Sequence, residues 1–271
     1  MSFAVETPRI AQRLRAGETL YGVIVKMPGP ALVEMCGFAG FDLALIDTEH
    51  GAGDGEALEH HIRAADSAGT ETLVRIGGNS GHEILRALDA GSSGVVAPHI
   101  ENGDDAARVV NAAHYPPLGT RSLAVSTRAG RQGFISSVDH VAAARDRTMV
   151  VVQIEDGDAL AHVDAIAATP GLDAVFIGPT DLSVSLGLPG QLEHPSVVAA
   201  IDQIAQGVVD ANNAALCVLV DDERQAEAWR ARGARLILFS AVALIAQRLR
   251  AVSAAVHAPP TVRQPRLATE R

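Results

Sequence analysis

Eight apolar runs of strand length, each followed by a stretch of helical period, predict an α/β protein folded as a single-domain TIM (β/α)8 barrel. Two further observations agree. Most of the runs are continuously apolar, as strands buried on both faces must be. A chain of 271 residues with 48% hydrophobic content also matches a barrel of about 250 residues. The strand-like runs are Leu20 to Lys26, Leu43 to Asp47, Thr72 to Ile76, Gly94 to Ala97, Met149 to Glu155, Ala174 to Ile177, Leu216 to Val220 and Leu236 to Phe239. The helix-period segments are Ala31 to Phe38, Gly55 to Ser67, Gly81 to Ala90, Asp104 to Ala113, Asp158 to Ala168, Ser196 to Ala211, Glu223 to Ala231 and Val242 to Ala255. Gly40, Gly69, Gly91, Gly171 and Gly233 follow helical segments, where a left-handed cap favours glycine.

The barrel is expected over residues 1–257. The segment 258–271, rich in proline and charge and without an apolar period, is expected to be disordered. Tyr115 to Gly133 carries Pro116, Pro117, Arg121, Arg128 and Arg131 and is too long for a simple connection. Such a loop is expected at the strand-end face, as a lid or a subunit contact.

A formal charge of −10 and the lack of a basic stripe argue against nucleic acid, whose phosphates need a cationic face. The two cysteines, Cys36 and Cys217, do not make a disulfide framework and suit a reducing compartment. The first residues lack the basic and apolar regions of a signal peptide, and no run is long enough to span a membrane. A soluble cytoplasmic protein is expected.

Chemistry collects where the strands end. The second run ends Asp47-Thr48-Glu49-His50, the third at Arg75, the fifth Gln153-Ile154-Glu155, and the sixth leads into Gly178-Pro179-Thr180-Asp181. Parallel barrel strands all finish on one face, so acids at two such ends converge although far apart in sequence. Glu155 and Asp181 therefore read as a divalent metal site, and their oxygens suit a hard cation such as magnesium or manganese. Gly77 to Gly81 is only a weak phosphate-loop candidate, since it fits no nucleotide-binding spacing. The acidic Asp221-Asp222-Glu223 loop disfavours a phosphorylated substrate.

Six motifs in order, Asp-Thr-Glu-His (47–50), Leu-Val-Arg-Ile (73–76), Leu-Asp-Ala-Gly (88–91), Tyr-Pro-Pro-Leu-Gly-Thr-Arg (115–121), Gln-Ile-Glu (153–155) and Phe-Ile-Gly-Pro-Thr-Asp-Leu-Ser (176–183), resemble the HpcH/HpaI aldolases. These are metal-dependent class II pyruvate aldolases of the 4-hydroxy-2-oxoheptanedioate aldolase type. The resemblance implies one divalent metal ion per subunit (magnesium, manganese or cobalt) on Glu155 and Asp181. It further implies substrate contacts from Gln153 and from the backbone at Gly178, Pro179 and Thr180. Arg75 would stabilise an enolate, and His50 would transfer the proton. Asp89, closing the Gly81 to Ala90 helix, would raise the proton affinity of His50. Ile24 and Val218 would line the pocket for the donor's methyl group, and Asp47 and Glu49 would orient waters on the metal. The implied reaction is reversible cleavage of a 4-hydroxy-2-oxo acid to pyruvate, or a close analogue, and an aldehyde, within aromatic or sugar-acid catabolism. The implied assembly is a homohexamer, a trimer of dimers, with the last helix exchanged between subunits.

The chain departs from the pattern at Gly-Ala-Gly-Asp (51–54), expected to make a looser second loop, and at Ala97-Pro98-His99-Ile100-Glu101, where His99 and Glu101 are expected to add polar contacts near the mouth. Two alternatives stay open. Lys26, the only lysine beside 21 arginines, stands at the end of the first strand where a Schiff-base aldolase could use it. A non-catalytic barrel binding a keto acid is the other.

Overall fold

The computed structural model describes residues 9–51 and 55–257. The expectations for the first eight residues, for the loop residues 52–54 and for the tail 258–271 lie outside the described residues. The strands are β1 (Leu20–Val25), β2 (Leu43–Asp47), β3 (Glu71–Arg75), β4 (Gly94–Ala97), β5 (Met149–Ile154), β6 (Ala174–Ile177), β7 (Ala215–Val220) and β8 (Ala234–Ser240). They form a closed barrel in sequence order, each parallel to its neighbours, with β8 returning to β1. The helices are α1 (Ile10–Arg15), α2 (Pro30–Phe38), α3 (Gly55–Ala68), α4 (Gly81–Asp89), α5 (Gly103–Ala113), α6 (Ser137–Arg147), α7 (Val163–Ala167), α8 (Pro179–Ser185), α9 (Pro195–Ala211), α10 (Glu223–Ala231) and α11 (Ala241–His257). The expected (β/α)8 barrel is therefore the fold. All five expected caps take positive φ, Gly69 at 71° and Gly233 at 96° among them, which costs glycine nothing and any other residue a clash.

The pleat divides the strand residues between two apolar cores. Leu20, Ile24, Leu43, Leu45, Leu73, Val96, Met149, Val151, Ala174, Phe176, Ala215, Cys217, Leu236 and Leu238 fill the barrel. Their neighbours along each strand, among them Val23, Ile46, Val74, Val152, Ile177, Val218 and Ile237, pack under the helices. This period of two continues into the strand ends, so Asp47, Arg75 and Gln153 share the inward parity of Leu45, Leu73 and Val151.

One end of the barrel is plugged by α1, which the apolar pattern did not predict. Ile10, Ala11 and Leu14 join the interior core, a burial worth roughly 1.5–3 kcal/mol for each of the two larger side chains. Ion pairs fasten the helix: Arg13 reaches Asp42 at 2.7 Å and Arg15 reaches Asp173 at 2.7 Å. Substrate must therefore enter from the other end, where the strands finish.

The Tyr115 to Gly133 segment corrects an expectation. It follows α5, which runs back from the strand-end face, so it lies at the plugged end and is not a lid over its own mouth. Its arginines bind there: Arg121 pairs with Asp89 at 2.8 Å, and Arg128 pairs with Asp66 and donates to the Ala90 carbonyl at 3.3 Å. The same segment leads into α6, missed in the sequence because its residues Ser-Val-Asp-His-Val-Ala-Ala-Ala-Arg-Asp-Arg bury only His140. The final helix is almost bare of its own barrel. Only Ala241 is buried, and Val242, Ile245, Leu249, Val252 and Val256 are exposed at alternating spacings of three and four residues. Among the described residues no helix is long and apolar enough to cross a membrane.

His114 ends α5 as a buried residue. Burial, reinforced by the charges of Arg15 and Arg121, pulls its imidazole down to about 4. Between an unfolded value of about 6.5 and this folded one, only the unfolded chain takes up the proton. Stability should therefore fall as pH drops through that window, by roughly 3 kcal/mol in all. Denaturant titrations from pH 7.5 to 4 should show a shallower acid slope in His114→Gln than in the parent chain; equal slopes would refute neutral burial of this histidine.

Candidate active site

The Asp47 carboxylate organises the mouth. β2 and β3 pair in a register that sets Asp47 beside Arg75, and both side chains are almost fully buried. Arg75 Nη2 donates to Asp47 Oδ2 at 2.6 Å and Nε to Oδ1 at 3.1 Å, a two-pronged match of guanidinium to carboxylate. Oδ1 also accepts the backbone N–H groups of Glu49 (3.1 Å) and His50 (3.2 Å). Burial raises the Asp47 carboxyl, but Arg75 outweighs it and the group ends below its ordinary value. For Arg75, burial works against the charge; Asp47, then Glu49 and Glu155, overcome it. With two of its nitrogens committed to Asp47, Arg75 keeps Nη1 directed at Gln153 Oε1, 3.3 Å away.

A second cluster lies beside it. Glu155 follows β5, buried, its Oε1 accepting the His99 N–H at 2.9 Å and its Oε2 accepting from Gln153 Nε2. Gly178 has to be glycine here, since a Cβ would come within 2.7 Å of Gln153 Nε2, Glu155 Cβ and Glu155 Oε2. Desolvation is the main influence on Glu155 and raises its carboxyl above the ordinary value against the pull of His99. Glu49, His99 and Glu155 each bring one donor atom within 4.8 Å of the others. The buried Glu49 Oε2 makes no hydrogen bond, although Arg75 Nε is 3.2 Å away. A buried carboxylate oxygen without a donor, beside a second carboxylate, is what a divalent cation would satisfy, and such donors suit one. The residues present fit the metal that the sequence implies.

A cavity of about 200 Å³ opens at these strand ends, lined by Ile24, Lys26, His50, Arg75, Gln153, Phe176, Gly178, Pro179, Thr180, Asp181, Leu219 and Ser240. It thus brings together nine residues from the β1, β2, β3, β5 and β6 ends that were singled out in the sequence. Asp181 sits in the first turn of α8, on the cavity wall but outside the three-donor cluster. Asp47 is committed to Arg75 and to the following turn, in place of the expected role toward metal waters. Lys26 is 39% exposed, with Nζ 3.7 Å from Asp47 Oδ2.

Two site expectations are corrected. Val218 points outward into the strand–helix core, because its parity on β7 is opposite to that of Cys217; Leu219 takes the inward place opposite Ile24. Asp89 closes α4 at the plugged end of the barrel, bound to Arg121, so it cannot act on His50 of its own chain. Leu219, Phe176 and Ser240 were not foreseen, and counting by twos from Cys217, Ala174 and Leu236 would have found them. A larger groove of about 740 Å³ lies between α5 and α6. It is apolar and remote from the strand ends, so size does not identify the site. Burial raises both cysteine thiols, leaving neither as a nucleophile.

Removing Asp47 while Arg75 stays should cost about 3 kcal/mol or more, the order seen when a buried ion pair loses one member. In chemical denaturation, Asp47→Ala should be less stable than the double variant Asp47→Ala/Arg75→Met; the reverse order would show that this pair does not hold the mouth together.

The chain matches the family model described as HpcH/HpaI aldolase/citrate lyase over residues 21–244. It is 40% identical over 194 residues to a hydroxypyruvate/pyruvate aldolase of Sagittula stellata, covering 71% of this chain and 76% of that one. It is 34% identical over 231 residues to a 2-keto-3-deoxy-L-rhamnonate aldolase of Escherichia coli, covering 84% and 86%. The crystal structure of an HpcH/HpaI aldolase from Desulfitobacterium hafniense superposes with a TM-score of 0.85 at 27% identity, covering 95% of this chain and 100% of that one. With its barrel, its strand-end acids and its buried arginine in place, the chain belongs to the HpcH/HpaI aldolase/citrate lyase family, as a carbon–carbon lyase of the aldolase kind.

Proposed function

We propose that the chain reversibly cleaves an unphosphorylated 4-hydroxy-2-oxo acid into pyruvate, or a close analogue, and an aldehyde. The observation that carries this is the convergence of Arg75, Gln153, Asp181 and His50 on one small cavity, with Glu155 hydrogen-bonded to Gln153 beside it. The names of the relatives, pyruvate, hydroxypyruvate and 2-keto-3-deoxy-L-rhamnonate aldolases, agree in a 2-oxo acid half and support that donor. A divalent cation, magnesium, manganese or cobalt, held by Glu155 and Asp181 at the ends of the paired strands β5 and β6, would polarise the 2-oxo carbonyl.

The chain's own residues do the rest. Gln153 and the start of α8 at Gly178, Pro179 and Thr180 hold the acid, while Ile24 and Leu219 give an apolar wall for its methyl group. Arg75, fixed by Asp47 before substrate arrives, presents a donor where negative charge develops on the oxo oxygen; such preset donors lose no reorganisation energy. His50 accepts the proton of the C4 hydroxyl as the C3–C4 bond breaks and the aldehyde departs. It then returns that proton to C3 of the enolate, completing pyruvate. At 52% exposure, His50 can exchange with solvent between steps.

A Schiff-base route through Lys26 is the second reading, but its side chain is 39% exposed with Nζ 3.7 Å from Asp47 Oδ2, not enclosed in the apolar pocket that such a lysine needs. A pure keto-acid binder would have no use for His50. The unpartnered apolar stripe of α11 supports an assembly, here a homohexamer of three dimers, with this helix covered by another subunit. Two free buried cysteines agree with a cytoplasmic setting, in aromatic or sugar-acid catabolism.

Deuterium exchange into the pyruvate methyl group, followed by proton NMR, reads the enolate step alone. His50→Ala should slow it about 10²- to 10⁴-fold with metal affinity unchanged, and Glu155→Gln should abolish its dependence on added metal. Exchange that persists in both variants would sink the reading. Lys26→Ala should keep turnover, and borohydride added with pyruvate should leave the parent chain without a covalent adduct; a stable adduct on Lys26 would transfer the chemistry to the lysine.

A further inference from the structure

His99 is poorly explained as a mouth residue that merely adds polarity. It is a non-glycine residue at φ 54°, a left-handed conformation that costs on the order of 1 kcal/mol or more and persists where the surroundings impose it. In this conformation its N–H is bonded to Glu155 Oε1, and its ring reaches three carboxylates. Nδ1 is 3.4 Å from Glu155 Oε1 and hydrogen-bonded to Asp156 Oδ2 at 3.1 Å, a contact that a metal-bound Nδ1 would give up, and Nε2 is 3.5 Å from Glu49 Oε1. Two donors that share a cation at about 2.1 Å each stand about 3.0–3.4 Å apart. The separation of His99 Nδ1 from Glu155 Oε1 matches that spacing. Glu49, its side chain nine-tenths buried and its Oε2 without a hydrogen bond, supplies a further oxygen on the same side.

We infer that His99 is a nitrogen ligand of the metal at Glu155, so that the site is a mixed nitrogen and oxygen site selecting cobalt-like divalent cations over magnesium. This rests on the proposed metal site at Glu155. Imidazole nitrogen favours zinc, cobalt, nickel and copper, whereas magnesium takes oxygen donors and gains little from it. Glu49 adds a carboxylate beside Arg75, and Asp181 stays the second acidic ligand of the proposed site.

Binding of Co²⁺ and Mg²⁺ to the chelator-stripped full chain tests this without reference to turnover. Calorimetry gives the affinities, and the visible absorption of bound Co²⁺ reports its donors. Loss of residues that only support a ligand already costs about 10- to 100-fold in metal affinity, so loss of a ligand should cost no less. His99→Asn and His99→Gly, both compatible with the left-handed backbone, should weaken Co²⁺ by at least about tenfold, leave Mg²⁺ within a few-fold, and shift the Co²⁺ spectrum. An unchanged Co²⁺ to Mg²⁺ ratio and spectrum in both variants would overturn the role of His99 alone. Glu155→Gln that still binds both metals like the parent, or a parent chain that binds neither, would overturn the Glu155 site and this inference with it.

Discussion

One carboxylate carries the architecture of the mouth. Asp47 neutralises a buried guanidinium and, with the same side chain, ties down the turn that bears Glu49 and His50. Neither group could occupy its place alone, because an unpaired charge in that environment costs several kcal/mol. The pair therefore exists as a unit, positioned by the neighbouring register of β2 and β3. Thr48 reinforces it, its hydroxyl and N–H both donating to the Arg75 carbonyl, at 2.6 and 2.9 Å. The geometry of the mouth is a by-product of satisfying buried electrostatics.

The two ends of the barrel solve different problems. At the plugged end, arginines from α1 and from the segment after α5 close on Asp42, Asp66, Asp89 and Asp173, so these charges hold connections in place. At the mouth, Glu49, Glu155, Asp156 and Asp181 outnumber the cations that face them. That excess of oxygen is unfavourable in isolation; burial already pushes Glu155 toward its neutral form. A cation held there would relieve it, and metal binding would then be linked to the stability of the same strand ends. The imidazole of His99, set among three of these carboxylates, belongs to that balance.

Inside and outside of the barrel are told apart only by the pleat. On β7, the run Ala-Leu-Cys-Val-Leu-Val is apolar at every position, and burial on both faces makes either parity acceptable to the hydrophobic effect. Leu219 reaches the cavity and Val218 does not, because closure with β6 and β8 fixes which residues face the axis. The difference decides which side chain a substrate's methyl group would meet.

The strands, most helices and their glycine caps were legible in the sequence, since each depends on local apolar period and on backbone freedom at single residues. So was the delivery of Arg75, Gln153, Glu155 and Asp181 to one end of the barrel, because any parallel barrel brings its strand ends to one face. What local pattern could not carry was direction and closure. Helix α1 is too short to show a period, and α6 buries too little to display one. Asp89 and the Tyr115 to Gly133 segment resembled mouth elements in one dimension. They lie at the opposite end because each helix runs antiparallel to its strand and returns the chain to the plugged face. Strand-end chemistry was written in the order of residues; which residues share a space was settled only when eight strands closed on one another, since closure brings together side chains with no sequence proximity.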